Sequence, residues 1–514
     1  MYLCGLKTKK RIMMRKELVI GLFVLLAWPF MAASAQNQVN MKFGKPTKEE
    51  MQMTVYEADP GAEAVVLCRL TDVEYTVQTI SYLVDYRDKV RIKVLKPGGV
   101  RFAKVVVPYQ VNMSVGNNIS GLRTSFTTIP MNRASGDSYF DNEAGSMSEG
   151  VFGTDADESV ESIKATAFNL EGGKTVKTSL KKSDIKTTKI DDHNYQVEFT
   201  VPNVKEGTVI EYEYNIHSQM FWELHDWYGQ CEIPVVYAKL DMNIPNFLIF
   251  NIEDHGIQRL THTCTVGSLS YKVESDPLAK PMTVNTNHYV YVGRNLKGVP
   301  NNGYSWNVQD LWAGITAELR TYRLRGMAQM DYAKTWDQIE AMILDSDNFG
   351  AHLNDHSPLV DELKQAKLEE VADLRVRAAA VCQLVMGKVK WNGKYALNPA
   401  PTAETLKNGI GSNADINLLL IQSLHDAGLT AAPVMLRTRD LGLLPYNFPS
   451  ISKFSTFLVA VILPGGDKVF VDASSKHGGL NEVPEVMRVE RARLVQKGKK
   501  GEWVNLQKVG DSQK

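Results

Sequence analysis

Cysteine is scarce in this sequence, and it is never clustered. The 514 residues include five cysteines, and no two of them form a CxxC pair. This excludes the usual patterns of a zinc site or a dithiol redox motif, so we expect neither a metal nor a cofactor. Cys231 and Cys264 could form a disulfide in an oxidising compartment. Free, buried thiols are the interpretation that we favour.

The sequence also lacks an excess of charge of either sign. Lys and Arg together number 58, as do Asp and Glu. Removal of residues 1–35, discussed next, leaves 52 basic residues against 57 acidic ones. Nucleic-acid binding normally requires a concentrated basic face, so we expect no nucleic-acid partner.

Long apolar runs are absent except at the N-terminus. There, six basic residues precede the apolar run at 18–32, and Ala33-Ser34-Ala35 follows it. This order predicts a secretory signal peptide over residues 1–35, cleaved before Gln36. The alternative is a membrane anchor, which the shortness of the run disfavours. We therefore expect an exported protein, periplasmic or associated with the cell surface, with no transmembrane span after cleavage.

The region 36–300 has the pattern of strands. Apolar or aromatic residues alternate with Glu and Asn over Thr208–Ile216, which predicts a half-buried antiparallel strand. Gly172-Gly173 separates two strand-like runs, and consecutive glycines accept the positive φ values of a two-residue hairpin. We expect an all-β, sandwich-type N-terminal half containing one or two sandwiches.

A segment of different composition interrupts this half at about 127–158. It is rich in Gly, Ser, Asn and acidic residues, as in Gly153-Thr154-Asp155-Ala156-Asp157. We predict a long, mobile acidic surface loop. A calcium loop is the alternative, but the oxygen ligands follow no recognised spacing.

The pattern changes near residue 300. Helices are predicted within Trp306–Met330 and over Trp336–Leu344, and a third over Asp415–Ala427 is so apolar that it must be buried. Strand-like segments follow. This order predicts a separate α+β domain over residues 301–508. The predicted fold is thus multidomain.

Short motifs in this domain resemble the transglutaminase-like branch of the papain-like fold. Gly411-Ser412-Asn413-Ala414-Asp415 stands where the family shows Gly-x-Cys-x-Asp at the start of a buried helix, and Pro433-Val434 follows as in the family. Phe454-Ser455-Thr456 occupies the place of Phe-Asn-His. Val471-Asp472 occupies the place of the third catalytic residue. The resemblance implies a transglutaminase-like domain over 301–508.

The chemistry of such a site explains the pattern. A cysteine at a helix N-terminus has its thiolate stabilised by unpaired N–H groups, a histidine takes its proton, and a carboxylate orients the imidazole. The resemblance assigns these positions to Asn413, Thr456 and Asp472. It also predicts that Thr456 and Asp472 lie on adjacent antiparallel strands and face the helix start, with Thr456 in contact with Asn413. Only Asp472 is chemically intact, because Asn is not an effective nucleophile and Thr is not a base near neutral pH. We therefore predict a degenerate triad and a pseudoenzyme.

Four neighbouring residues are candidates for a remaining cleft. Trp391 and Tyr395 could line it, although aromatic packing in the core is the commoner role. Ser412 is better interpreted as a helix N-cap than as a nucleophile, and Asp415 as a carboxylate in the first turn. Of the possible replacements for the lost residues, Cys382, His425 and His477, none is convincing.

The N-terminal half resembles the β-rich domains of unknown function that precede transglutaminase-like domains in secreted bacterial proteins. The segments that carry this resemblance are Phe43–Glu50, Val204–Tyr212 and Trp227-Tyr228. It implies a fold but no activity.

The leading hypothesis is a catalytically inactive binding or scaffold protein of the cell envelope. Its partner would be a peptide, a glycan or an envelope protein. An active peptidase or amidase of the acyl-transfer type, with unidentified catalytic residues, is the alternative. A third possibility is a purely architectural module, which a large exposed apolar patch without a deep cleft would favour.

Overall fold

The computed structural model describes residues 42–77, 82–111, 156–190, 193–271, 281–301, 305–323, 330–331, 335–446, 449–475 and 478–510. The chain divides into two compact units, Met1–Pro46 and Thr47–Lys514, and all helices and strands named below belong to the second. The predicted signal peptide and most of the predicted acidic loop lie outside the described residues. Within those residues, no helix is both long and apolar enough to cross a membrane.

Strands make up most of the region up to residue 331. A short helix, α1 (Lys48–Gln52), comes first. The strands in chain order are β1 (Ala64–Val77), β2 (Tyr82–Val94), β3 (Lys104–Gln110), β4 (Glu158–Glu171), β5 (Lys174–Ser179), β6 (Lys186–Lys189), β7 (Asn194–Thr200), β8 (Val209–Ser218), β9 (Trp227–Tyr228), β10 (Val235–Pro245), β11 (Leu248–His255), β12 (Thr261–Tyr271), β13 (Met282–Leu296), β14 (Gly314–Tyr322) and β15 (Met330–Asp331).

These strands form three sheets. The largest has eight strands in the order β12-β13-β10-β1-β2-β8-β4-β5, with β1 and β10 parallel and the other neighbours antiparallel. The sheet β3-β7-β6 and a sheet of β9, β11, β14 and β15 accompany it. The protein is therefore largely β and contains several sheets. The predicted hairpin is confirmed, because Gly172 and Gly173 join β4 to β5 with φ values of 56° and 77°.

The predicted helix within Trp306–Met330 is wrong. The residues Gly314–Tyr322 form β14, which pairs antiparallel with β11. Ile315 and Ala317 are buried on one face of this strand, so the apolar residues recur with a period of two. The local pattern is that of a strand, and β14 completes a sheet of the β-rich region.

The predicted antiparallel strand at 208–216 is confirmed as β8, but its polar face is not simply solvated. Glu211 is buried, and its Oε1 accepts a hydrogen bond of 2.7 Å from Arg91 Nε. Arg91 also lies 2.9 Å from a carboxylate oxygen of Glu50 in α1. A buried arginine with two carboxylates satisfies its charge locally, which explains why these acids point inward.

The remaining residues form an α+β arrangement. The helices are α2 (Trp336–Leu344), α3 (Val360–Gln365), α4 (Leu374–Lys388), α5 (Thr402–Asn408) and α6 (Asn413–Asp426). The strands are β16 (Lys390–Trp391), β17 (Ile410–Gly411), β18 (Thr430–Leu436), β19 (Thr456–Ile462), β20 (Lys468–Val471), β21 (Ala492–Leu494) and β22 (Glu502–Val504). A domain boundary near residue 300 stays a prediction.

Helix α6 packs against a five-stranded antiparallel sheet in the order β20-β19-β18-β21-β22. The side chains of Phe457 and Val459 belong to the same apolar cluster as α4 and α6. Leu458 and Ala460 belong to a different cluster. Since successive side chains of a strand point to opposite faces, β19 has one face against the helices and one against the C-terminal segment.

All four cysteines of the described residues are free. Cys68 and Cys382 are buried, as expected, and Cys231 is half-buried. Cys264 is exposed on the edge strand β12, so the expectation of burial is wrong for this residue.

Candidate functional site

The buried helix predicted over Asp415–Ala427 is α6, which begins two residues earlier, at Asn413, where the resemblance places the helix start. Ser412 is its N-cap, and its hydroxyl accepts a hydrogen bond of 3.2 Å from the amide of Asp415. Asp415 accepts one of 2.7 Å from the amide of Ser412 and one of 2.6 Å from the amide of Ala400. Both side chains therefore satisfy backbone donors at the helix start, which is the structural role expected of them.

The side chain of Asn413, at the position of the family's nucleophile, is fully buried. Its Oδ1 accepts a hydrogen bond of 2.9 Å from the amide of Ala396, and its Nδ2 donates one of 3.1 Å to the carbonyl of Phe457. The backbone amide of Asn413 donates to Lys394 O at 3.1 Å. The carboxamide thus joins the segment before α6 to strand β19.

A second asparagine, Asn417, was missed by sequence analysis. It lies one helical turn after Asn413 and is also fully buried. Its Nδ2 donates to the carbonyl of Phe457 at 3.0 Å and to Asp472 Oδ1 at 2.9 Å, and its Oδ1 accepts from the amide of Ala473 at 3.0 Å. A polar residue within an apolar helix was the available signal, because a buried carboxamide requires partners.

Asp472 follows β20 directly and is fully buried. Its carboxylate accepts hydrogen bonds from Asn417 and from the hydroxyl of Ser474, the latter at 2.8 Å. Burial raises the pKa of Asp472, and the hydrogen bonds from Ser474 and Asn417 oppose that rise only in part. No ion pair with Asp472 is present among the described residues. Within the described residues, this carboxylate therefore contacts neutral donors and orients no imidazole.

Thr456, at the position of the family's base, is the first residue of β19. Strands β19 and β20 are adjacent and antiparallel, as predicted. The Thr456 side chain is fully buried, and its hydroxyl has no hydrogen-bond partner within the described part of the chain. Alternation along β19 places it on the face of Leu458, opposite to α6. The prediction that Thr456 faces the start of α6 beside Asn413 is therefore wrong. Asn413 donates instead to the next carbonyl, that of Phe457.

Trp391 and Tyr395 lie at the surface beside this buried network. Trp391 is 38% exposed, and its ring centroid is 5.0 Å from that of half-buried Tyr395. Burial raises the pKa of Tyr395 to about 12, and the charge of Asp472 contributes to the rise. The two aromatic residues therefore form a surface above the network.

The other cysteine and histidine candidates named from the sequence do not form a reactive group in the described residues. Cys382 is buried and donates to the carbonyl of Gly478 at 3.2 Å, and burial raises the pKa of its thiol to about 12. His425 lies 2.9 Å from the carbonyl of Ala431, near the other end of α6. His477 lies outside the described residues. Across the ranges given above, no histidine is hydrogen-bonded to Asn413, Thr456 or Asp472.

A depression of about 380 Å³ is present at the C-terminal end of α6, lined partly by His356, His425 and Asp426. Along the helix axis, this end is roughly 20 Å from Asn413. His356 Nδ1 lies 2.6 Å from Asp426 Oδ1. No group of three or more metal-ligating side chains is found in the described ranges. The depression therefore belongs to a different part of the surface from the predicted site.

No protein-family model matches the sequence, and no curated protein matches it significantly. Several solved structures show weak similarity, among them the following two. A "putative protease" from Parabacteroides distasonis has a TM-score of 0.43 and 11% identity, covering 81% of this chain and 71% of that chain. A "putative cysteine protease" from Cytophaga hutchinsonii has a TM-score of 0.20 and 11% identity, covering 55% of this chain and 86% of that chain. Both similarities are too low to carry an inference about this protein.

Proposed function

We propose that this protein is a catalytically inactive, transglutaminase-like protein of the cell envelope that acts in binding or as a scaffold. The observation that carries the proposal is the state of Asn413. Its carboxamide is fully buried and has hydrogen bonds at both ends, to Ala396 N and Phe457 O. A side chain that is fully buried and hydrogen-bonded at both ends has no free surface for contact with a substrate.

Chemistry at the other two positions supports the same conclusion. The triad mechanism needs a base that takes a proton from the nucleophile, and a threonine hydroxyl has no such capacity near neutral pH. Asp472 hydrogen bonds to Asn417 and Ser474, so its carboxylate serves the structure of the strand ends. The three positions act as packing and hydrogen-bonding residues of the core.

The rival function, an acyl-transfer enzyme with unidentified catalytic residues, would require an activated nucleophile, such as a reactive thiol. Cys382 is a candidate thiol within the same core as α6. However, burial raises the pKa of that thiol to about 12, so the nucleophilic thiolate is scarce at neutral pH. The geometry therefore favours an inert thiol.

The surface formed by Trp391 and Tyr395 supplies a place for a partner. An exposed tryptophan next to a second aromatic ring can pack against a sugar ring, a peptide or an apolar protein surface. The partner class that we propose is accordingly a peptide, a glycan or an envelope protein. Because the old catalytic positions are buried, recognition would take place on this surface and not inside a cleft.

The catalytic part of the proposal is tested by assaying the purified protein against peptide amides, with a thiol-directed covalent inhibitor present or absent. We expect no turnover and no acyl-enzyme. The matched control is Cys382→Ser, which should behave as the unmodified protein does. Turnover that is lost on Cys382→Ser, or an acyl group on any cysteine, would establish the rival function.

The binding part is tested by a pull-down from the native envelope. We expect one stoichiometric partner, captured by the unmodified protein and lost with Trp391→Ala. The control is Trp306→Ala, because Trp306 is exposed to a similar extent, 43%, but lies outside the Trp391 and Tyr395 surface. Equal capture by both variants would contradict the proposed surface.

A further inference from the structure

Among the described residues, one edge of the eight-stranded sheet lacks the usual protection against pairing. Strand β12 is the last strand on its side and pairs only with β13 in the described part of the chain. Its eleven residues include no Asp, Glu, Lys, Arg or Pro. An edge strand presents unpaired N–H and C=O groups that can pair with another strand, and natural proteins usually prevent this with charges, proline or short edges.

The opposite edge of the same sheet has the usual protection. Strand β5 has six residues, and Lys174 and Lys177 are both exposed on it. Lysines on an edge oppose pairing because their charges would have to be desolvated or brought together. The sheet thus has one edge that resists pairing and one that permits it.

Apolar exposure coincides with the unprotected edge. Val266, at the centre of β12, is 81% exposed, and Cys264 on the same face of the strand is exposed as well. Cys264 lies opposite Tyr289 of β13, which packs partly against the main apolar core. Cys264 and Val266 therefore lie on the same face of the sheet as Tyr289, but at β12 this face is exposed to solvent.

We propose that β12 pairs antiparallel with β12 of a second copy of this chain, so that the sheet continues across a two-fold axis. Two uncharged strands of the same length bring no like charges together, which makes β12 complementary to itself. An eleven-residue antiparallel pairing supplies about ten backbone hydrogen bonds, the number typical of a protein interface. Such a pairing also covers Val266.

The uncharged β12 edge and the lysines of the β5 edge favour a dimer over a filament. A two-fold contact uses the β12 edge of both copies and leaves only the β5 edges, which their lysines protect. Head-to-tail growth would require β12 to pair with β5 and is opposed by the same lysines. The assembly therefore closes at two copies. This inference is independent of the proposed function.

The oligomeric state of the purified protein tests the proposal. By light scattering after size-exclusion chromatography at micromolar concentration, we expect twice the chain mass. Val266→Lys should raise the dimer dissociation constant by roughly tenfold or more, because it places a charge at the paired edge. The matched control is Val176→Lys, which makes the same change at another exposed valine, 38% exposed, on the β5 edge and should leave the dimer intact.

Hydrogen exchange locates the contact. In the unmodified protein the amides of β12 should exchange more slowly than in Val266→Lys, while those of β5 should be the same in both. Circular dichroism checks that Val266→Lys folds, which we expect since the side chain is exposed. A monomeric unmodified protein, or a dimer that Val266→Lys leaves unchanged, would overturn the proposal.

Discussion

The Nδ2 atom of Asn417 donates a hydrogen bond of 2.9 Å to Oδ1 of Asp472, and both side chains are fully buried. The same carboxamide bonds to the backbone of Phe457 and Ala473. It therefore connects helix α6 to the start of β19 and the end of β20, where the resemblance predicted the base and the orienting carboxylate. These hydrogen bonds hold α6 against the two strands.

Replacement of Asn417 by leucine should destabilise the protein by about 3 kcal/mol. The change leaves the carboxylate of Asp472 and the amide of Ala473 short of a partner in the core, and unsatisfied buried groups are costly. Chemical unfolding in urea measures the effect. Asn408→Leu is the control, since Asn408 is exposed and should change the free energy of unfolding by less than about 0.5 kcal/mol. Similar losses for the two variants would contradict the structural role of Asn417.

Replacement of Thr456 by valine should leave stability unchanged or increase it by about 1 kcal/mol. Threonine and valine side chains have similar shapes. The hydroxyl that the change removes is buried without a hydrogen-bond partner in the described part of the chain. Thermal unfolding provides the measurement. Destabilisation by more than about 1 kcal/mol would mean that the hydroxyl has a hydrogen-bond partner, contrary to this interpretation of Thr456.

Replacement of Asp472 by asparagine should increase the free energy of unfolding most at neutral pH. Burial raises the pKa of Asp472 above its ordinary value of 3.8, so the folded protein binds this proton more tightly than the unfolded chain does. The cost of the buried charge is absent below the unfolded pKa and grows as the pH rises through the folded pKa. The stability of Asp472→Asn relative to the unmodified protein should therefore decrease as the pH is lowered.

Urea unfolding at neutral and mildly acidic pH measures this difference. Asp467→Asn, which removes a carboxylate that is 79% exposed, controls for the change in net charge. A relative stability of Asp472→Asn that rises on acidification would show that the carboxylate is stabilised in the folded state, contrary to the expected direction.

The mature protein should begin at Gln36. Ala33 and Ala35 provide the small residues that signal peptidase requires, and a basic segment and an apolar run precede them. N-terminal sequencing of exported protein decides the point. Membrane-bound protein that retains residues 1–35 would support an anchor instead.

The sequence was most informative where a single segment determines the structure. Ser412 and Asp415 form a capping box, so the start of α6 could be placed at Asn413. Gly172 and Gly173 likewise define their hairpin, because few other residues adopt two successive positive φ values.

Pairings between distant segments could not be predicted from local sequence patterns. The parallel register of Val66 with Val235 joins segments that no local pattern connects. The strand at Gly314–Tyr322 was predicted as a helix, because its partner β11 lies about 60 residues earlier and the period-two pattern is short. Asn417 was missed because the family comparison drew attention to Asn413, while the buried amide that reaches Asp472 is one turn further along.

Asn413, at the position that the resemblance gives to the nucleophile, belongs to a closed part of the core. The rate at which a small maleimide labels Asn413→Cys in the native protein, followed by mass spectrometry, tests this closure. The exposed reference is Asn408→Cys, and buried Cys382 is the internal reference. We expect the thiol at position 413 to react roughly 100-fold or more slowly than that at position 408, at a rate comparable to Cys382, because labelling requires local opening. Labelling at position 413 as fast as at position 408 would contradict this expectation and would indicate an open, accessible site.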